Sequence, residues 1–320
     1  MSPGRAPLLF SHPDCDLHQA PGHPERPERL AAIDEALAAD PDLRELPRRR
    51  PEPATRELLE SVHDPHHVAA IFDAGAMADA RGVGEWLDPD TWLGPNSVAA
   101  AVASAGGAVA AVRSVLAGEQ GSAFSLTRPP GHHATRSRAM GFCLFNNIAI
   151  AAQAALDSGL ERVAIVDFDV HHGNGTQDIF YERSDVLYMS CHEYPLYPGT
   201  GAASERGQSE GEGFTRNAPM AAGGGRSEYI AVFDQLFAPA LREYAPELLL
   251  VSAGFDAHQS DPLAQMELES ADYGILASRI TAWAAELCDG RSAWCLEGGY
   301  DLHGLSESVV NVIKELSQAG

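Results

Sequence analysis

The chain has 320 residues, 45% of them hydrophobic, which is ample for one large buried core and compatible with one α/β domain. Its formal charge of −23 argues against nucleic acid, because neutralising phosphates takes a basic surface; the acidity suits solubility and would also attract a cationic substrate. No apolar run reads as approaching the roughly 18–20 residues of a membrane span, and Met1 to Phe10 lacks the basic, apolar and cleavage regions of a signal peptide, so a cytoplasmic protein that binds no membrane is expected. The cysteines Cys15, Cys143, Cys191, Cys288 and Cys295 are odd in number, scattered and free of any CxxC, so reduced, buried thiols are expected.

Along the chain, apolar β-rich runs alternate with helical patterns, the signature of a parallel sheet covered on both faces. A strand is expected over Pro7 to Phe10 and a helix over Pro27 to Ala39; Arg48-Arg49-Arg50, between prolines, reads as a solvated loop. Helices follow over Pro65 to Ala80 and Ser97 to Leu116. The strand Ser122 to Leu126 runs into Arg128-Pro129-Pro130-Gly131-His132-His133, and a helix spans Phe145 to Asp157. The strand Arg162 to Val170 carries the first acids of a longer motif, followed by a helix over Thr176 to Arg183 and a strand over Val186 to Cys191. Pro195 to Gly225, rich in Gly and Ser, is the longest irregular stretch, and so long a loop in a compact domain is often functional. A helix over Arg226 to Tyr244, a strand over Glu247 to Ser252, a helix over Ser270 to Leu287, a strand over Ser292 to Leu296 and a helix over Gly304 to Glu315 complete the order.

The richest segment is Ala164-Ile165-Val166-Asp167-Phe168-Asp169-Val170-His171-His172-Gly173-Asn174-Gly175. In a strand, residues two apart point the same way, so Asp167, Asp169 and His171 would share one face. Burying two carboxylates beside an imidazole is costly unless a cation or other partners satisfy them. An acid pair at a strand end often does no more than cap the next helix; here the run continues into His-His-Gly-Asn-Gly at a strand's C-terminal end, where open α/β sheets carry their sites. Two other strand ends supply what such a site needs, an acid in Ser252-Ala253-Gly254-Phe255-Asp256 and the paired His132 and His133. With Asp169, His171 and Asp256 as ligands, positions stay open for water and substrate, which favours a catalytic zinc ion, with ferrous iron or cobalt also fitting. His132 and His133, expected to diverge in their tight Pro-Pro-Gly turn, are poorly placed to be ligands together and suited to exchanging protons with a bound water.

These motifs resemble the histone deacetylase family, in particular the class II-like bacterial histone deacetylase-like amidohydrolases of the arginase/deacetylase superfamily. The match is carried by His23-Pro24-Glu25-Arg26-Pro27-Glu28-Arg29-Leu30, the Arg128 to Ala134 and Asp167 to Gly175 runs, Gly141-Phe142-Cys143, Asn146-Asn147, Tyr197-Pro198-Gly199-Thr200-Gly201, Ser252 to Asp256, Asp261-Pro262-Leu263 and Glu297-Gly298-Gly299-Tyr300. They stand in family order over nearly the whole chain, from Leu8 to Val312. The resemblance implies a single catalytic domain over 1–320, a three-layer α/β/α sandwich with a mainly parallel central sheet. It implies zinc-dependent removal of acetyl or related acyl groups from lysine-like amines, the substrate being an acylated lysine peptide or a small acylated amine, with an acetylpolyamine or other small-amide or ester hydrolase as the alternative.

Carried over residue by residue, the resemblance makes His133 the general base and then acid, with His132, paired with Asp167, assisting electrostatically. Asn174 stands where class I members carry Asp, which should leave His133 largely neutral. Tyr300 would donate to the substrate carbonyl. Phe142, beside Gly141, and Tyr197 would wall a narrow tunnel, while Asp90 and Thr91 lie near the rim position that holds the substrate backbone. Leu263 stands where polyamine-selective members carry Glu, which disfavours acetylpolyamines. A potassium ion is implied at Asp167, Asp169, His171, Ser190 and Cys191, and a second near Phe180, Arg183, Val186 and Phe214. Two rival readings share the fold or pocket: an arginase-like dimetal hydrolase, and a catalytically silent acyl-lysine or acetoin-related binding protein. The intact Tyr300, His132 and His133 speak against the second, and a homo-oligomer stays open.

Overall fold

A computed structural model describes residues 6–318; the first part of the expected leader-free N-terminus and both ends of the 1–320 domain lie outside them. Its strands are β1 (Leu8–Phe10), β2 (Arg48–Arg49), β3 (Glu85–Trp86), β4 (Trp92–Leu93), β5 (Ser122–Ser125), β6 (Val163–Asp167), β7 (Val186–Glu193), β8 (Thr215–Met220), β9 (Leu248–Ala253) and β10 (Ser292–Leu296). Its α-helices are α1 (Glu28–Ala39), α2 (Arg56–Glu60), α3 (Pro65–Arg81), α4 (Ser97–Leu116), α5 (Asn147–Asp157), α6 (Asn174–Phe180), α7 (Arg226–Val232), α8 (Ala238–Tyr244), α9 (Ser270–Leu287) and α10 (Leu302–Gln318).

The central sheet has eight strands in the order β2-β1-β5-β10-β9-β6-β7-β8, all pairs parallel, while β3 and β4 form a separate antiparallel ribbon. Parallel strands covered on both faces bury every residue. Along β6, Ala164 and Val166 join one apolar cluster while Val163 and Ile165 join the other; β9 alternates likewise, Leu249 and Val251 against Leu248 and Leu250. The first cluster takes in residues of α1, α9 and α10, the second residues of α3, α4 and α5, giving the helix, sheet and helix layers that the resemblance implies.

Five expectations change. The β6 strand stops at Asp167, not Val170, so Asp169 and His171 project from a loop and do not share a strand face with Asp167. The reason is local competition: Asp169 N–H donates to Asp167 Oδ1 (3.2 Å), and His171 N–H to Asp169 Oδ1 (2.9 Å), where a ladder would have continued. Arg48–Arg49 is exposed but pairs with β1 as an edge strand, and β8 emerges from the stretch expected to be irregular. The helix over Arg226–Tyr244 is interrupted by a wider π-turn at Phe233–Phe237, just before Pro239, which has no N–H to donate to the preceding turn. Finally, α4 is long and apolar enough to cross a membrane, contrary to the reading that no run approaches that length; it is mostly buried and packs on α5, β5 and β10 as a core helix.

Candidate active site

The central neighbours β5, β10, β9 and β6 deliver their C-terminal ends to one place. Asp167 ends β6, and past it come Asp169 and His171; past β9, Asp256; past β5, His132 and His133; past β10, Glu297 and Tyr300. Asp169, His171 and Asp256 offer ligand atoms within 4.8 Å of one another, all buried, the grouping of this kind found among the described residues. His171 Nδ1 lies 3.2 Å from Asp169 Oδ1 and 3.1 Å from Asp256 Oδ2. Burial opposes a charge on His171, yet its hydrogen bonds to the two carboxylates push it up to about 10. An imidazole that must stay protonated to balance two buried acids marks a place where a divalent cation could take over from the proton. Gly254 and Gly298 complete the cradle, since a Cβ on either would strike the Asp169 carboxylate, and on Gly298 the Asp256 carboxylate too. The donor set and the space therefore fit a divalent metal ion.

The loop that carries the acids is held by them. Besides the two turns already described, Val170 N–H donates to Asp256 Oδ1 (2.9 Å) and Gly298 N–H to Asp169 Oδ2 (2.8 Å). Charged acceptors for backbone donors make such a loop rigid.

The two histidines do not diverge as the turn suggested: their rings lie 4.0 Å apart. What separates them is the partner at Nδ1, Asp167 Oδ2 for His132 (3.0 Å) and Asn174 Oδ1 for His133 (2.8 Å). Burial works against a charge on both. For His132 it is overridden by Asp169 and Asp167, which push the group up to about 10; His133, burdened also by His132 and His171 and offered only an amide, falls well below the usual range. Because Asn174 Oδ1 can only accept, His133 carries its proton on Nδ1 and leaves Nε2 with a free lone pair. Tyr188 hydroxyl donates to the same oxygen, Asp167 Oδ2 (3.0 Å), fixing that carboxylate further.

A cavity of about 210 Å³ lies over this cluster, lined by Asp90, His133, Gly141, Phe142, His171, Leu196, Tyr197, Leu263 and Tyr300. Phe142 meets the Tyr300 ring edge-on at 5.6 Å, and Tyr197 meets His133 edge-on at 5.1 Å. Phe142 adopts a left-handed backbone (φ 70), uncommon for a residue with a side chain. The strained turn is held by Asp90 Oδ1, which accepts from Gly141 N–H (3.2 Å), and by Thr91 Oγ1, which accepts from Phe142 N–H (3.1 Å). Thr91 is fully buried and does not line the cavity, so the expected substrate contact there is corrected: its hydroxyl is spent on the wall. Ser190 is the register partner of Asp167, but its hydroxyl is taken by His192 Nδ1 (2.8 Å).

Three supporting residues went unseen in the sequence. Glu297 accepts from Gly131 N–H (2.6 Å), His132 N–H (3.2 Å) and Ser252 Oγ (3.1 Å), tying the histidine turn to the strand end that leads to Tyr300. Asp261 divides its carboxylate, Oδ1 accepting from Leu263 N–H (3.0 Å) and Oδ2 from Tyr300 N–H (2.7 Å). Arg29, fully buried, donates to Gly299 O (2.7 Å) and lies over the Tyr300 ring at 4.9 Å. All three stand inside motifs the sequence displays, but their work is on backbone atoms or rings far along the chain, which no local pattern signals.

The histone deacetylase domain model matches residues 23–316. A histone deacetylase-like amidohydrolase of Pseudomonas aeruginosa is 41% identical over 300 residues, spanning 93% of this chain and 78% of that protein. The crystal structure of the HDA15 HD domain is similar with a TM-score of 0.91 at 37% identity, over 98% of this chain and 89% of that one. That of an acetylpolyamine aminohydrolase from Burkholderia pseudomallei gives a TM-score of 0.87 at 32% identity, over 97% and 98%. With the family model matched over residues 23–316 and a relative 41% identical over 93% of its length, the chain belongs to the histone deacetylase family.

Proposed function

We propose that this chain is a single catalytic domain that hydrolyses the amide of an acylated lysine side chain, releasing acetate or a related acid and the free amine. The observation that carries this reading is one site in which a neutral His133, His171 and the Tyr300 phenol line the cavity while the Asp169 and Asp256 carboxylates are buried against His171. Zinc is the ion proposed for the trio, with ferrous iron or cobalt as alternatives; bound there, it would polarise the carbonyl and make water nucleophilic near neutral pH.

The chain's own groups supply the rest. His133 Nε2 takes a proton from the attacking water and returns it to the leaving amine, a double duty that requires a group neutral at the outset. His132, kept charged by Asp167 and Asp169, adds positive potential next to the developing oxyanion. Tyr300 has its pKa pushed well up by burial, so it keeps its proton and can donate to the carbonyl oxygen as charge builds there. Phe142 and Tyr197 grip the aliphatic stem of the lysine between their rings. The same reading puts a potassium ion against Asp167, Asp169, His171, Ser190 and Cys191, and a second near Phe180, Arg183, Val186 and Phe214; both are carried by family resemblance. A cytoplasmic enzyme is proposed, on the burial of α4 and the acidic composition.

Small acylated amines are the second substrate class, favoured by the likeness to the acetylpolyamine aminohydrolase. Leu263 on the cavity wall argues for the peptide, since it offers no carboxylate to a distal ammonium. The test is acid release by zinc-loaded protein from acetyl-lysine peptides and N-acetylated polyamines. Peptides should be turned over with the higher kcat/KM, and no release from any acyl amine by metal-loaded protein would overturn the reading.

A further inference from the structure

Two motif residues have no part in the chemistry above: His172, which follows His171 of the metal trio, and Thr200, three residues past the cavity wall at Tyr197. They meet, His172 Nδ1 lying 2.8 Å from Thr200 Oγ1. On the other side of the ring, His172 Nε2 lies 3.0 Å from Gln177 Oε1, and Gln177 sits on α6, the helix that begins with Asn174, the partner of His133. Each proton in this chain of bonds has one place. The Glu205 carboxylate accepts from Gln177 Nε2 (2.6 Å), which turns Gln177 Oε1 toward His172, so His172 Nε2–H donates to it. Burial first and His192 second hold His172 down at about 3; its ring is therefore neutral, and Nδ1 accepts from the Thr200 hydroxyl.

The next residues of the loop are pinned as well. Glu205 Oε1 accepts from Gly201 N–H and Ala202 N–H, both at 3.1 Å, and Gly201 O accepts from His192 Nε2 (2.9 Å). Gly201 has φ 93, and a Cβ there would come within 2.4 Å of the His192 ring and 2.6 Å of the His172 ring, so the loop backbone lies directly against both. Tyr197 has no comparable hold of its own: its buried hydroxyl has no hydrogen-bond partner among the described residues, and its ring meets His133 and His171 edge-on at 5.1 and 6.3 Å. A side chain without a directional bond keeps the place its backbone gives it. We infer that the His172–Thr200 bond, backed by Gln177 and Glu205, is the anchor that sets the Tyr197 wall of the cavity, making His172 and Thr200 positioning residues for the acyl-lysine stem that act through Tyr197 and not on the reacting atoms. The inference rests on the deacylase reading and deepens it, by naming what fixes the width of the cavity around the stem.

Thr200→Val removes the hydroxyl at nearly constant volume and leaves His172 Nδ1 buried without a donor. In zinc-loaded protein it should raise KM for an acetyl-lysine peptide by about five- to thirtyfold while kcat stays within about threefold. Thr200→Ser, which keeps the hydroxyl, should recover most of the loss. In a Tyr197→Ala background the same Thr200→Val change should move KM by less than about twofold, because the wall it would displace is gone. Two readouts need no turnover: a fluorescein-labelled acetyl-lysine peptide should bind Thr200→Val more weakly, and the backbone amides of 197–202 should exchange hydrogen faster than in wild type, with the circular dichroism spectrum unchanged. Should Thr200→Val fail to fold, Glu205→Gln, which weakens the acceptor for Gly201, Ala202 and Gln177, carries the same comparison. Wild-type KM and affinity in these variants, or an undiminished effect in the Tyr197→Ala background, would overturn the anchor. Weakened, Tyr197-dependent peptide binding in a protein that hydrolyses no acyl amine would sustain the anchor while removing the deacylase reading.

Discussion

The two ends of the central sheet are built from similar residues and do opposite things. At the C-terminal ends of its strands, Asp167, Asp169, Asp256 and Glu297 are buried to within 1% of complete, over a cavity of only about 210 Å³. At the other end lies a cavity of about 640 Å³, lined by Glu161, Arg162, Asp185, Arg216, Glu243 and their neighbours. Its charges keep water: the side chains of Glu161 and Arg162 are 83% and 42% exposed and pair at 3.6 Å, and Asp185 pairs with Arg183 at 2.7 Å. Solvated pairs of this kind contribute little to stability. Carboxylates crowded together out of water cannot all hold charge without a cation or a protonated partner, which is why His132 and His171 are pushed up to about 10 at one end only. Desolvated charge, not room, marks the reactive end.

This contrast can be broken at its reactive end first. His133→Ala should lower kcat by about 10²–10⁴-fold with metal content and fold retained, since it removes the group that accepts and returns the proton. His132→Ala should lose less. Comparable losses, measured by steady-state kinetics on metal-verified protein, would mean the pair acts as a unit. Next, Asn174→Asp replaces the amide at His133 Nδ1 by a carboxylate. In wild type the base form persists down to pH values well below 6.5, because the His133 pKa is depressed, and activity falls only as pH drops through it. A carboxylate raises that pKa, so the acidic limb of kcat/KM should move up by about 1–3 pH units; an unmoved limb assigns it to another group.

A smaller effect belongs to the rim. Leu263→Glu should raise the polyamine to peptide ratio of kcat/KM by about tenfold, a charge attraction of about 1–4 kcal/mol partly spent on desolvation. No change in ratio would separate Leu263 from substrate choice. The least effect is expected at the far end, where Glu243→Gln should alter kcat/KM less than about twofold and stability by no more than about 0.5 kcal/mol. A large loss there would show that the two ends are coupled.

The sequence displayed the reactive end better than it displayed the frame. Strands β6, β9 and β10 were legible because parallel strands buried on both faces read as mainly apolar runs, and β5, though flanked by serines, was found by the same route, each strand leading into residues with chemistry. β8 was hidden: Thr215–Met220 is an edge strand of mixed polarity with Pro219 inside, tolerable only because an edge leaves some N–H positions unpaired. The end of β6 was misread because the acids that signal the site also capture the N–H groups that would have prolonged the strand. Glu297, Asp261 and Arg29 stayed invisible as supports, since their partners lie 166, 39 and 270 residues away and are mostly backbone atoms common to every sequence. Thr91 was placed at the rim by the family resemblance, though its hydroxyl is engaged by Asp90 Oδ1 (3.1 Å) and Phe142 N–H (3.1 Å) in the Gly141–Phe142 turn.

The central claim, that buried charge at the C-terminal strand ends exists to hold one catalytic cation, is tested most directly by elemental analysis of purified protein alongside activity. Wild type should hold one divalent transition ion per chain and lose acyl-lysine hydrolysis on chelation, regaining it with zinc; Asp256→Asn should lose the ion while keeping the wild-type circular dichroism spectrum. Two tightly bound transition ions per chain would point to the arginase-like alternative, and full activity in metal-free protein would contradict the account outright.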